Sequence, residues 1–165
     1  MRAIVSVTSD WAIGCEGRLL VRNKADMRRF VDLTMGGTVL MGRTTFESFP
    51  GGALKGRRNV VLTRQADYAA PGIETYPSAE AALSALADTD PDSIWLIGGE
   101  SVYRALLPLC DRVFVTKNET TAPADAYFPN LDADDAWAVE SREDGGTTAA
   151  GIPFSYVTYR NLNLA

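Results

Sequence analysis

Few side chains in this sequence can carry acid–base or nucleophilic chemistry. There is no histidine, which removes His-based triads, His general bases and most zinc sites, and no metal centre is expected. Cys15 and Cys110 stand far apart, in no CxxC or metal-ligand spacing, and read as two free, reduced thiols. Carboxylates, hydroxyls, guanidinium groups and the backbone are left. Among the carboxylates Asp26 stands out. It follows the glycine-punctuated stretch 14–24 and opens a helix over residues 25–35. At about 100° per residue, Asp26 falls on one arc with Met27, Phe30, Val31, Leu33 and Thr34, and Arg28, Arg29 and Asp32 fall on the other. An acid inside an apolar face is either a first-turn residue favoured by the helix dipole or a buried group kept for chemistry. The helix alone leaves both readings open.

Two other constellations suit an anion. Gly42-Arg43-Thr44-Thr45-Phe46-Glu47-Ser48-Phe49 places a glycine turn, an arginine and two hydroxyls where a strand passes into a short helix. Free backbone N–H groups, a positive dipole end and a guanidinium make an anion site there, or Thr44 is a plain N-cap. Ile97-Gly98-Gly99-Glu100-Ser101-Val102-Tyr103 repeats the scheme of buried strand, glycine pair and helix, with no GxGxxG anywhere. Thr63-Arg64-Gln65 adds a further hydroxyl and arginine at a strand end. In open α/β sheets ligands bind beyond the carboxyl ends of the strands, where such junctions lie.

The elements that must hold these groups follow from hydrophobic pattern. Short apolar runs over 3–7, 38–41, 59–62, 94–97 and 112–116 read as buried strands, with a weaker one near 73–76. Ser78 reads as the N-cap of a helix through Leu86. The connection 8–23 is longer than most in a compact domain, and Trp11, Ile13, Leu19, Leu20 and Val21 suggest a lid packed over something rather than a disordered loop. Residues 137–142 and 154–160 alternate in side-chain type around a glycine-rich turn, as in an antiparallel hairpin at a sheet edge.

With 46% hydrophobic and 22% charged residues in 165, the chain fits one ordinary globular α/β domain over 1–165. A net charge of -5 argues against a nucleic-acid surface, so any phosphate must meet a local arginine cluster. No segment has the apolar length of a membrane span, and the start runs straight into a strand pattern rather than a signal peptide; the expectation is a cytoplasmic protein.

In their joint order and spacing these motifs resemble dihydrofolate reductase. The resemblance runs through Ile13-Gly14, Ala25-Asp26 with Phe30, residues 41–48, Leu54, Gly56-Arg57, Asn59, Thr63, Ile97-Gly98-Gly99 with Tyr103, Thr116 and Phe128-Pro129. It implies a mixed, mostly parallel eight-stranded sheet with about four flanking helices and an antiparallel C-terminal hairpin. It also implies NADPH-dependent reduction of 7,8-dihydrofolate to tetrahydrofolate, with hydride passing to pterin C6 and a proton to N5, by a monomer acting on small molecules.

By the same resemblance Asp26 pairs with the pterin ring N–H and 2-amino group, and Thr116 bonds that carboxylate. Ile4, Val5, Met27, Phe30, Phe49, Leu54, Ile97 and Tyr103 would line the substrate slot, with Arg57 as the clamp for the glutamate carboxylate. Ser6, Ile13, Gly14, Leu19, Gly42, Arg43, Thr44, Thr45, Leu62, Thr63, Arg64, Gly98, Gly99, Glu100, Ser101, Val102 and Tyr103 would hold the cofactor, with Arg43 and Arg64 at its 2′-phosphate. Leu20-Val21 stand where the family usually carries Pro-Trp, and Asn23-Lys24 replace an apolar-Pro lead-in to the helix. Two alternatives share the fold: a reductase of ribosylated pyrimidine precursors of riboflavin, and a non-catalytic NADPH-binding protein.

Overall fold

The computed structural model describes residues 1–164. In chain order its elements are β1 (Arg2–Val7), β2 (Ala12–Cys15), β3 (Arg18–Leu19), α1 (Lys24–Thr34), β4 (Thr38–Gly42), α2 (Arg43–Glu47), β5 (Arg58–Leu62), β6 (Ile73–Tyr76), α3 (Ala79–Ala85), β7 (Ile94–Gly98), α4 (Glu100–Leu106), β8 (Arg112–Asn118), β9 (Ala126–Tyr127), β10 (Trp137–Thr147) and β11 (Pro153–Asn161).

Strands β1, β4, β5 and β7 carry runs of buried apolar residues at their centres because both faces of the sheet are covered. They form the middle of an eight-stranded sheet in the order β10-β11-β8-β1-β7-β4-β5-β6. Every pairing from β8 to β6 is parallel; β11 joins β8, and β10 joins β11, antiparallel. Among the described residues four α-helices accompany the sheet, as expected. On one face Ile4, Val39, Met41, Phe46, Val61 and Trp95 form a core over which Phe30 and Leu33 of α1 pack. The other face carries the larger core, with Val5, Val7, Leu40, Leu96, Tyr103 and Tyr159 among its members. Among the described residues no helix is long and apolar enough to cross a membrane.

The hairpin is longer than its alternation suggests. Register shifts between Val139 and Ser141 and between Asp144 and Gly146 absorb extra residues as bulges, so β10 continues through Gly145-Gly146 instead of turning there. A side chain at Gly145 would collide with the ring of Phe154.

The connection 8–23 is not a simple loop. Its β2 pairs with β3 and, across more than a hundred residues of sequence, with β9, giving a second, three-stranded sheet. The Asp125 N–H donates to the Gly14 carbonyl (3.0 Å), and the Glu16 N–H donates to the Asp125 carboxylate (2.9 Å). Trp11 is buried against Phe128 and Tyr159, whereas Leu19, at the end of β3, is 67% exposed. Of the apolar residues that suggested a packed lid, those at its base fulfil that expectation and Leu19 does not.

Candidate active site

Asp26 reaches its position through a cap. The Asn23 side chain accepts from the Asp26 N–H (3.0 Å), starting α1 at Lys24 with the Asp26 carboxylate in its first turn. Thr116, on β8, is buried and donates its hydroxyl hydrogen to Asp26 at 2.5 Å. Ser6, on β1, is the register partner of Thr116, so the two hydroxyls stand side by side beneath one acid. Burial pushes the Asp26 carboxyl above the usual carboxylate range; the Thr116 hydrogen bond, the charge of Arg29 and the Ser6 hydroxyl oppose that rise without cancelling it. Both earlier readings of Asp26 are thus realised, since it is a first-turn acid and also a desolvated one.

Ile4, Phe30, Phe49, Leu54 and Ile97 gather on the face of the sheet that Asp26 overlooks. Val5 does not join them. Successive strand residues point to opposite faces, and Val5 packs in the other core, so its side chain cannot line the expected slot. Tyr103 also lies in that other core, buried, its hydroxyl donating to the Ile4 carbonyl at 2.7 Å. Met27 is 51% exposed beside Asp26 rather than packed in the cluster. Arg57 is fixed at the outer end: Nε donates to the Lys55 carbonyl (3.0 Å) and one terminal nitrogen to the Thr34 hydroxyl (3.2 Å), with the guanidinium 5.9 Å from the Phe30 ring centre. The rest of its fork is directed to the cleft or solvent, which suits a carboxylate clamp.

The two glycine junctions meet. Gly98, at φ +129°, adopts a backbone that favours glycine, and Cβ atoms on Gly98 or Gly99 would lie 3.3 Å from the Thr45 hydroxyl. A Cβ on Gly42 would lie 3.2 Å from Val102 and 4.0 Å from the Gly99 nitrogen. Thr45 and Val102 therefore pack directly against these glycines, and a side chain at any of the three would crowd them. Thr44 is exposed inside α2, whose N-cap is Gly42, so Thr44 is not the cap. Thr63 accepts from the Gln65 N–H (3.1 Å), Leu62 is half-buried at the end of β5, and Ser101 and Arg64 are exposed, Arg64 without an ion pair among the described residues. Arg43 is engaged with Glu47 at 2.6 Å, four residues on, and Glu100 accepts from the Tyr127 N–H (2.7 Å). Ile13 and Gly14 belong to the anchored base of the lid.

The description of dihydrofolate reductase, taken as a family model, matches residues 1–161. The chain belongs to that family. The dihydrofolate reductase of Mycobacterium leprae is 45% identical over 130 residues, 76% of each chain, and that of Neisseria gonorrhoeae 33% identical over 156 residues, 94% of each. A solved dihydrofolate reductase from Enterococcus faecalis, complexed with NADP(H) and RAB-propyl, superposes with a TM-score of 0.86 at 31% identity. It covers 97% of this chain and 95% of its own.

Several residues of this family member that touch the site were not singled out from sequence. Asn23 carried a readable signal, an Asn immediately before a helical pattern. Arg29 carried a misleading one: its place on the polar arc suggested solvent, but its guanidinium lies 4.0 Å from the Tyr156 ring centre and 5.8 Å from that of Phe114. Asn118, buried at the end of β8, and Asp125, which ties down the lid, carried none.

Proposed function

We propose that the cleft between α1 and the carboxyl ends of β1 and β8 is where this chain performs the reaction of its family, the NADPH-dependent reduction of 7,8-dihydrofolate to 5,6,7,8-tetrahydrofolate. The observation that carries the assignment is Asp26: a partly desolvated acid with a raised pKa, bonded by Thr116, on the helix whose Phe30 packs on an apolar cluster and lies by Arg57. A carboxylate so placed pairs with the ring N–H and 2-amino group of a pterin through two parallel hydrogen bonds and fixes the ring's orientation. Ile4, Phe30, Phe49, Leu54 and Ile97 receive the flat rings, and Arg57 the glutamate carboxylate.

Bound NADPH supplies the hydride. The chain's part is to hold it, with Gly42, Thr44, Thr45, Gly98 and Gly99 at the pyrophosphate and Arg43 and Arg64 at the 2′-phosphate. The fit is supported by the close approach of the two glycine junctions and by Arg64, which has no carboxylate partner among the described residues. Arg64→Ala should raise KM for NADPH by about 10-fold or more, the worth of a hydrogen bond to a charged group, and leave KM for NADH nearly unchanged. Steady-state titration of both cofactors checks this. Arg43→Ala should do less, because Glu47 already holds that guanidinium.

Asp26 also governs the proton for N5. Since its pKa is raised, its protonated fraction persists above the ordinary carboxylate range and is lost as pH rises through the folded value, so turnover limited by protonation falls on the alkaline side. The reading further takes the chain as one domain over 1–165, a cytoplasmic monomer acting on small molecules. The decisive assay follows NADPH oxidation by the purified protein with dihydrofolate and, separately, with a ribosylated aminopyrimidine of the riboflavin route. Turnover of dihydrofolate is expected; turnover of the pyrimidine alone, or cofactor binding with neither reaction, would overturn the assignment.

A further inference from the structure

A chain of buried side-chain amides ends at the acid. Asn118 (1% exposed) donates from Nδ2 to the Ser6 hydroxyl oxygen at 2.9 Å and to the Val7 carbonyl at 3.0 Å. Its Oδ1 accepts from Asn23 Nδ2 at 3.3 Å, and Asn23 (4% exposed) accepts from the Asp26 N–H. The polarity of this chain is dictated at both ends by the backbone. The Val7 carbonyl can only accept, so Asn118 must turn its NH2 group toward Val7 and Ser6; the Asp26 N–H can only donate, so Asn23 must turn its oxygen there. Ser6 is therefore an acceptor toward Asn118. A serine hydroxyl has one hydrogen, and that hydrogen is left for another acceptor. The Asp26 carboxylate stands above the Ser6–Thr116 pair, where Thr116 already donates to it.

We propose that Ser6 is a positioning residue for the reaction, its hydroxyl oriented by Asn118 to donate to the Asp26 carboxylate alongside Thr116, so that the acid is held between two hydroxyls on neighbouring strands. The proposal deepens the assignment above and rests on it for its catalytic consequence, though not for its geometry. A donor to the charged form of an acid favours that form, so Ser6 restrains the rise that burial imposes on Asp26. The other charged or titratable groups facing Asp26 are Arg29 of α1, Tyr156 of β11 and Tyr103 of α4. Both tyrosines are pushed above their ordinary value by burial. Asp26 is the carboxyl of the set, and its ionisation is what a titration of the site follows.

The test uses the full chain. The Asp26 carboxyl carbon is followed by NMR through a pH titration of the free protein, and the pH profile of kcat with dihydrofolate and NADPH is measured in parallel. Ser6→Ala should move both midpoints up by about half a unit or more, and Ser6→Thr, which keeps the hydroxyl, should hold them near wild type. Asn118→Leu should also move them up, because the released Ser6 hydroxyl can turn to the Val7 carbonyl that has lost its donor. Ser6→Ala with Asn118→Leu should go no further than Ser6→Ala alone. An unchanged or lowered NMR midpoint in folded Ser6→Ala would overturn the proposal, whether or not Asn118→Leu folds. A shifted NMR midpoint in a protein that does not turn over dihydrofolate would leave it standing and sink the functional assignment instead.

Discussion

Asp26→Asn should lower kcat/KM for dihydrofolate about 10²–10⁴-fold at neutral pH, the usual contribution of a positioned acid–base group, while leaving the protein at least as stable as wild type. Asparagine keeps the size of the side chain and an oxygen to accept from Thr116. It cannot ionise, and it presents an NH2 group where the pterin edge offers donors of its own, so orientation and proton supply are lost together. The stability half follows from linkage. The folded pKa of Asp26 is raised, so ionisation costs the native state stability as pH rises from the unfolded value through the folded one. Once pH has passed the folded value the native protein carries that cost in full, and Asn removes it. Steady-state kinetics with thermal melts at pH 7.5 checks both halves. A loss of activity with a matching loss of stability would mean that the substitution had damaged the fold rather than the chemistry.

Trp11→Ala should destabilise the chain by about 3–5 kcal/mol, the range for truncating a buried aromatic side chain. Trp11 stacks on Phe128 (6.2 Å between ring centres), meets Tyr159 at 6.0 Å, and lies under the Lys117 ammonium at 4.9 Å. Its carbonyl accepts from the Phe128 N–H at 2.8 Å. Its backbone is left-handed, φ +63°, uncommon for so bulky a residue and sustained by these contacts. Removing the ring leaves a cavity where lid, β11 and the segment after β9 converge, without the packing that held the strained backbone. Urea unfolding gives the magnitude; a loss below about 1 kcal/mol would show that the lid base packs on the core without supporting it.

Much of this architecture could be read from local pattern. Buried parallel strands announce themselves as short apolar runs, and Ser78, which accepts from the Ala81 N–H, was legible as a cap from its position before a helical stretch. The resemblance located Asp26 and Thr116, and the structure joins them across ninety positions of sequence. What escaped was non-local or broke a period. The two-residue strands β3 and β9 have no pattern of their own and exist only through β2. The bulges of β10 interrupt the alternation that would have shown its length. Val5 was grouped with Ile4 although strand geometry sends their side chains to opposite faces. The pairing of Arg43 with Glu47 follows a four-residue helical spacing that was present in the sequence. Asn118 had no signal, since its partners Ser6, Val7 and Asn23 come from the other end of the chain.

The second sheet changes how much order the lid must gain when a ligand arrives. Fixing the backbone of one residue costs about 1–2 kcal/mol of entropy, and a free connection from Thr8 to Asn23 would meet that cost along its whole length at each closure. Here the ladder to β9, the Asp125 contacts to Gly14 and Glu16, and the buried Trp11 settle the first half in advance, while the Asn23 cap settles the last residue. Leu19 is laddered to Gly14 within that sheet, so the stretch from Leu20 to Arg22 is what neither the sheet nor the cap holds. A ligand that meets this connection therefore finds most of its backbone already ordered, and Leu20-Val21 are the apolar side chains carried by the short stretch in between.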